Sequence, residues 1–390
     1  MISVAEALQK VLTLARPLGT ELVPLAEAGG RVLAEPVIAR RAQPPFAASA
    51  MDGYALRGNE IAPGARFAVI GEAPAGRAFA GQVGPGQAVR IFTGAPVPNG
   101  ADHVVIQEDT HRDGDAVVIA ETTSSGNNIR PAGGDFRPGD RIGAPRRLSP
   151  FDLALAAAMN VPELAVFRRP VVALLATGDE LVMPGETPRD DQIVASNAFG
   201  LKAMFEAAGA EVRLLPIARD DVQSLTTAFG LCQGADLTVT IGGASVGDHD
   251  LVGKVAGDLG MERAFYKVAM RPGKPLMAGR MGDAAMLGLP GNPVSAMVCA
   301  HLFAIPLLRH MQGQEPAGTP RIEARLGAAV AANGPREHFM RARLEGGIIT
   351  PFDRQDSALL SVLSSANALL ARPAGDGPRQ AGDMVEVIPL

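Results

Sequence analysis

The run from Asp236 to Asp250, DLTVTIGGASVGDHD, constrains the fold of this chain more than any other stretch. Residues 237–241 are short, apolar and β-branched, the composition of a strand buried on both faces. Gly242 and Gly243 end that run, and the small residues Ala244, Ser245, Val246 and Gly247 follow. Asp248, His249 and Asp250 then lead into LVGKVAGDLG, which reads as a helix over 251–259. A strand, a glycine loop and a helix start together present backbone N–H groups and the positive end of a helix dipole, a ready site for a phosphate or another oxyanion. Acids at the lip of such a site make sense beside an anion when a divalent cation lies between them.

The same alternation extends along the chain. From Arg169 onward, residues 171–176, 212–217, 237–241 and 264–268 read as strands, and 196–208, 221–232 and 251–259 as helices. Strand–helix alternation predicts a doubly wound, mostly parallel sheet with helices on both faces, over residues 170–315. Residues 275–280 and 284–289, joined around Met281-Gly282-Asp283, read as a hairpin at one edge. The helix after Asn292 closes the unit, and GQEPAGTP at 313–320 is a linker. Residues 320–390 read as a small C-terminal β domain, with 358–370 partly helical. Upstream, Val4, Leu8, Val11, Leu12 and Ala15 fall at helical spacing, and a second helix is expected at 150–159. Residues 1–43 and 141–169 are therefore expected to form one discontinuous, helix-rich domain. A β module is inserted at 44–140, with strands at 66–70, 88–91, 104–107 and 116–120.

Composition removes several classes of function. With 36 Lys+Arg against 41 Asp+Glu the net charge is −5, which disfavours nucleic acid and anionic membranes as partners. Tryptophan is absent, so base stacking is poorly served. Cys232 and Cys299 stand alone, which argues against a disulfide framework or a zinc cluster and fits a reducing cytoplasm. Glu6 and Lys10 make the first helix amphipathic, unlike a signal peptide. Residues 294–308 are the most membrane-like, but Ser295, His301 and Pro306 interrupt them and they are shorter than the roughly 20 residues of a span. They read as a core helix.

In open parallel sheets the ligand lies beyond the C-terminal strand ends, where strand order reverses. This sequence places Thr177-Gly178-Asp179-Glu180, Arg219-Asp220-Asp221 and Asp250 there. Arg271 and Lys274 in RPGKP, and Pro290-Gly291-Asn292-Pro293, join them on the same rim. Carboxylates and cations so gathered suit a metal ion clamping a phosphate ester. Each residue taken alone has a plainer role. Asp220 or Asp221 can cap the next helix, Asp250 can favour a helix dipole, and the glycines can be turns. Pro-Gly-Asn-Pro can be a turn and a helix start, and His249 and His301 can be solvated or packed. The argument for a site is that separate strand ends deliver charge to one side. The β module adds Asp52 in SAMDGY, Thr93 in RIFTGAP and Asp135 in GGD, each equally readable as a turn.

SAMDGYA, RIFTGAPVP, GADHVV, GGD, TGDEL, SN, GGASVGDHD, RPGKP and LPGNPVS occur in the order found in the MoeA family of molybdopterin molybdenumtransferases, and the chain resembles that family, with the gephyrin E domain, over its whole length. The resemblance implies a homodimer of four-domain subunits whose central domain is similar to the MogA adenylyltransferase fold. It implies an active cleft shared between the central domain of one subunit and the β module of its partner. The implied reaction takes adenylylated molybdopterin and molybdate, releases AMP and requires a divalent cation, Mg²⁺, with transient contact to a MogA-type enzyme. Carried over residue by residue, the resemblance assigns Asp52, Thr93 and Asp135 from one subunit. From the other it assigns Glu180, Asp220, Asp250, Arg271 and Lys274 as catalytic residues, with Asp220 and Asp250 on the metal. Gly242, Gly243, Ser245, Gly247, Pro290, Gly291, Asn292, Pro293, Arg341 and Ser357 would bind substrate. The family often has Lys where Arg271 stands, and Glu where Asp248 stands; arginine keeps the charge but excludes proton transfer. A MogA-type adenylyltransferase and a gephyrin-like scaffold are the rival readings. The first would not need the β module or the C-terminal domain, and the second would not need the acidic set.

Overall fold

The computed structural model describes residues 1–123, 125–243 and 251–390. Its centre is a six-stranded sheet in the order Glu211–Leu214, Val171–Ala176, Leu237–Ile241, Ala284–Leu289, Met277–Met281 and Met261–Tyr266. The first four run parallel. Met277–Met281 is antiparallel to both of its neighbours. The hairpin expected at the edge is therefore internal, and Met261–Tyr266 forms that edge instead. Burial explains the order. Ala284–Leu289 is buried from its second residue on, as an interior strand must be, whereas Met261–Tyr266 exposes Glu262 and Arg263.

Alternate residues of Val171–Ala176 serve the two faces of this sheet, as the two-residue period of a strand requires. Val172 and Leu174 join Leu201, Phe205, Val294 and Leu307 in one core. Ala173 and Leu175 join Leu225, Phe229, Val252 and Val255 in the other. The covering helices are Asn197–Ala207, Val222–Leu231 and Leu251–Asp258, with Pro293–Met311 as a longer helical segment. Among the described residues this last is the one segment long and apolar enough to cross a membrane, but 78% of its most apolar window is buried inside the protein. It is a core helix.

The N-terminal helix, Val4–Leu12, opens with a full capping box between Ser3 and Glu6. It packs on the central domain and not with the residues that follow it. Val4, Ala7 and Val11 belong to the same core as Phe205 and Leu307. The backbone of Ile2 is tied to the segment after the edge strand, from Ala269 N to Ile2 O at 2.8 Å. Helical spacing revealed an apolar face without revealing its partner.

The discontinuous unit also differs from the helix-rich expectation. Its sheet runs Thr20–Pro24, Glu163–Phe167, Val32–Leu33, Arg146–Arg147, packed by the single helix Pro150–Ala158. Its strands are two to five residues long, too short for a periodic signal to show in sequence. The inserted module is a six-stranded sheet in the order His103–Ile106, Gly53–Leu56, Gln87–Ile91, Arg66–Ala73, Ala116–Ile119, Thr110–Asp113, with separate apolar clusters around it. In the C-terminal domain Glu337–Glu345, Ile348–Pro351, Ile322–Leu326, Met384–Pro389 and Ala368–Arg372 close into a barrel through the pairing of the first with the last. Met270 and Arg271, where the RPGKP segment begins, add to that barrel, parallel to Glu337 and His338.

Val11→Ala, at a position with no exposed surface, is expected to cost about 1–3 kcal/mol. The lost protection should appear by hydrogen exchange in Leu237–Ile241. Loss confined to residues 20–38 would instead assign the helix to the discontinuous unit.

Candidate active site

A cavity of about 570 Å³ lies at the C-terminal ends of the three central parallel strands. Ala176 and Thr177, Ile241 and Gly242, and Pro290 and Gly291 supply its floor. The chain goes from Val171–Ala176 to a strand on one side, Glu211–Leu214, and then to one on the other, Leu237–Ile241. This is the topological switch point, where crossovers leave in opposite directions and open a crevice. Leu181, Ile193 and Val194 line it from a short parallel ribbon, and Ser196 and Asn197 from the start of a helix.

Glu180, Asp220, Gly242, Gly243, Pro290, Gly291, Asn292 and Pro293 all line this one cavity, as the sequence led us to expect. The ambiguity between Asp220 and Asp221 resolves cleanly. Asp221 caps the following helix, accepting from Ser224 N at 2.7 Å, which leaves Asp220 to the cavity. Burial pushes the Asp220 carboxyl above its ordinary value, and the charges of Asp179 and Glu180 push it the same way. Arg219, the nearest cation in sequence, instead donates to the backbone oxygen of Asp179 at 2.9 Å. The corner is thus short of positive charge.

Gly242 and Gly243 have φ of 94° and 65°, in the left-handed region. A Cβ on Gly242 would lie 2.7 Å from Thr177 O, and one on Gly243 would run into the Val252 side chain. Only glycine allows the turn and the close packing together. Ser245, Gly247, Asp250 and their neighbours Asp248 and His249 lie outside the described residues. The sequence reading placed Thr177 on the rim without giving it a role, and it did not place Asn197 there at all. Asn197 donates to Gly291 O at 2.7 Å, pinning the Pro-Gly-Asn-Pro loop to the start of a helix. Thr177 is nearly buried beneath the glycines. The SN pair was visible as a motif, but no spacing rule tied it to a loop almost a hundred residues away.

Arg271, Lys274, Arg341 and Ser357 flank the cavity without being among its lining residues. Pro275, the neighbour of Lys274, and Ala358, the neighbour of Ser357, do line it. Val294 N, in the first turn of the helix beyond Pro293, donates to Ser357 O at 3.0 Å. The barrel is thereby fastened to the cavity wall. Arg271 and Lys274 are exposed. Arg341 is 0% exposed, and although its Nη2 donates to Asp356 O at 3.1 Å, its Nε and Nη1 have no partner among the described residues. Burial, and then the charge of Arg271, lower its pKa. His338, beside these groups and 8% exposed, is pushed down to about 4 by burial and then by Arg271, Arg341, Arg372 and Arg336. One side of the region is acidic and the other basic.

Asp52, Thr93 and Asp135 sit in the inserted module, none of whose residues lines the cavity. Asp52 and Thr93 are brought together: Asp52 Oδ1 accepts from both the backbone N and the Oγ1 of Thr93, each at 2.8 Å. These bonds, and then the charge of Arg90, hold the Asp52 carboxyl below its ordinary value. Asp135 is exposed on a separate loop whose backbone is tied to Gln43.

Among the described residues no three His, Cys, Asp or Glu side chains are grouped to hold a metal. The donors that are present still suit Mg²⁺. It is held by one or two carboxylates with substrate oxygens and water, and the corner at Asp220 has carboxylates without a compensating cation.

Three family models match: the MoeA N-terminal region (domain I and II) over residues 2–160, a "Probable molybdopterin binding domain" over 173–310, and the MoeA C-terminal region (domain IV) over 323–390. The molybdopterin molybdenumtransferase of Haemophilus influenzae is 34% identical over 100% of this chain and 99% of its own. Molybdopterin molybdenumtransferase 2 of Mycobacterium tuberculosis is 36% identical over 99% of each. A crystal structure of the molybdopterin biosynthesis MoeA protein of Pyrococcus horikoshii superposes with a TM-score of 0.85 at 27% identity, covering 100% of both chains. The chain belongs to the MoeA family.

The state of His338 makes a pH prediction. The unfolded chain takes up a proton near the ordinary value of 6.5, while the folded protein resists it until about 4. Stability should therefore fall as pH falls between those values, by at most roughly 3 kcal/mol at about 1.4 kcal/mol per unit. Urea midpoints at pH 7 and pH 4.5 should show His338→Gln losing less than wild type; equal losses would remove His338 as the cause.

Proposed function

We propose that this MoeA-family protein is the transferase that inserts molybdenum into adenylylated molybdopterin, taking molybdate as the second substrate and releasing AMP. The observation that carries the reading is the cavity at the switch point. It joins a glycine turn and a carboxylate corner at Asp220 and Glu180, and Arg271 and Lys274 stand beside it in the segment that ends at the lining residue Pro275. A phosphate-linked nucleotide and an oxyanion are the partners such a pairing of charges suits.

The roles proposed combine the position of the described residues with the motifs that carry the others. Gly242, Gly243, Pro290, Gly291, Asn292 and Pro293 shape the wall that cradles the phosphate linkage, joined by Ser245 and Gly247, with the backbone N–H groups of Gly243, Gly291 and Asn292 offered as donors. Asp220 and Asp250 would hold Mg²⁺, which in such a site neutralises phosphate charge and orients the linkage for attack. Arg271 and Lys274 bind phosphate or molybdate oxygens and offset charge as the adenylyl P–O bond breaks. AMP leaves with the oxygen supplied by the attacking oxyanion or water. Arg341 and Ser357 steady the barrel side of the pocket, and the two bare guanidinium nitrogens of Arg341 favour an anion there. Asp52, Thr93 and Asp135 lie in the inserted module, apart from the described lining of the cavity, and on this reading they arrive from the partner of a homodimer to orient the attacking group across a shared cleft. The adenylylated substrate would come by transient contact with a MogA-type enzyme in the cytoplasm.

Two experiments test these assignments. Asp220→Asn should raise the Mg²⁺ concentration giving half-maximal AMP release by about tenfold or more, because a charged donor becomes neutral. An unchanged Mg²⁺ dependence would remove Asp220 from the metal. Mixing equal amounts of inactive Asp52→Ala and Asp220→Ala subunits, after exchange, should restore about a quarter of wild-type activity. Half the dimers are then hybrids, and each hybrid has one intact site. No recovery would place both residues in a site within one chain.

A further inference from the structure

The reading above gives the module's acid, Asp52, a place in the shared site but no account of what holds it there. Asp52 ends an exposed turn, and its neighbour Gly53 begins the strand Gly53–Leu56. Across from that strand runs Gln87–Ile91, with Tyr54 directly opposite Arg90 and Gly53 opposite Ile91. Arg90 lies with its guanidinium carbon 5.1 Å from the Tyr54 ring centroid and 5.0 Å from that of Phe92. Two aromatic rings therefore flank one planar cation, an arrangement a guanidinium fills better than an ammonium.

The hydrogen bonds of Arg90 close a ring around the acid. Its Nη1 donates to Gly53 O at 3.2 Å, one residue past Asp52. Its Nη2 donates to Gln107 Oε1 at 2.5 Å, and the backbone N of that same Gln107 donates to Asp52 O at 3.0 Å. The carboxylate at the other end of Asp52 is gripped by Thr93, three residues beyond Arg90 in sequence. Gly53 admits no Cβ because it would strike Val105 O, so the backbone beside Asp52 is fixed from behind as well.

We propose that Arg90 is a positioning residue of the shared site: flanked by Tyr54 and Phe92, its guanidinium bridges Gly53 and Gln107 and so fixes the place of the Asp52 carboxylate. The proposal rests on the reading that Asp52 acts in molybdenum transfer. Tyr54 is buried and Phe92 half-buried, and the guanidinium held beside them makes both hydrogen bonds. The same cation lies close enough to help keep Asp52 ionised. The other charged side chain facing Arg90 across the strands is Glu72, opposite it in register on Arg66–Ala73 and exposed. Glu72 is therefore the control position for an effect of Arg90 that does not pass through Asp52.

The test uses the full-length protein and measures AMP release from adenylylated molybdopterin with molybdate and Mg²⁺, on Arg90→Gln, Arg90→Lys and, for reference, Asp52→Asn. Arg90→Gln should lose about tenfold or more in kcat with KM little changed, the signature of a misplaced group. Arg90→Lys should also stay low in kcat, since lysine returns the charge without the flat two-donor fork. Adding Arg90→Gln to Asp52→Asn should cost little more than Asp52→Asn alone, because both changes act through one carboxylate. Glu72→Gln, which removes the charge opposite Arg90 in register, should leave kcat near wild type. Arg90→Gln with wild-type kcat would overturn the proposal, as would a full further loss when it is added to Asp52→Asn. If Arg90→Gln does not fold, an Arg90→Lys enzyme with unchanged kcat overturns it alone. An active Asp52→Asn enzyme would instead sink the shared-site reading beneath it.

Discussion

The site depends on a short continuation of the central ladder past the ends of its strands. Thr177 N still donates to Ile241 O at 3.0 Å, and Gly242 N to Leu289 O at 3.1 Å. Three adjacent strands are thus held in register to the last residue before each turns away. Because the strands are parallel, their loops all leave at the same end. Because the crossovers diverge there, the loops part and leave a crevice that no side chain of the sheet fills. The positive φ of Gly242 and Gly243 lets one loop bend sharply without covering the others. Asn197 then fixes the neighbouring Pro-Gly-Asn-Pro turn from across the gap.

Charge is distributed over this frame in a way that folding alone does not reward. A carboxylate at Asp220 that is partly desolvated and faces two more acids costs free energy in the folded protein. So does an arginine with no exposure and two nitrogens lacking partners in the described residues, next to a histidine driven to its neutral form. Acid and base are not allowed to neutralise each other, although one short loop separates the sheet from the barrel. The pairing of Met270–Arg271 with Glu337–His338 holds them apart. On the proposed reading, the substrates and their cation supply the compensation.

How much of this was readable in the sequence depended on the length of the signal. The strands 171–176, 237–241 and 284–289 are apolar runs bounded by Gly, Pro or Asp, and their boundaries match the structure. The parallel sheet and the gathering of Glu180, Asp220 and the two glycine loops followed from them. The discontinuous unit was misjudged because two-residue strands leave no period to detect. The N-terminal helix was identified and misassigned, since an amphipathic face states that it is buried but not against what. The hairpin at 277–289 was placed at the edge because sequence order carries no information on spatial order within a sheet. Asn197 could not be found by spacing at all: its partner is a carbonyl oxygen, which has no residue identity to read.

The same limit bears on the module. SAMDGY and RIFTGAP each read as a turn, and no composition rule links Asp52 to Thr93 or to Arg90. The link is made by strand pairing, which sets Tyr54 against Arg90 and leaves Asp52 and Thr93 at adjoining strand ends. A side chain that must meet a substrate held on another folded unit has to be aimed before that unit arrives, because a mobile acid would lose its ordering entropy at the moment of binding. Two hydroxyl and amide donors on the carboxylate, with a stacked guanidinium behind its backbone, supply that aim within the module itself. On the proposed reading, then, each half of the cleft is ordered by its own sheet before the halves meet, and what dimer formation has to supply is only their relative placement.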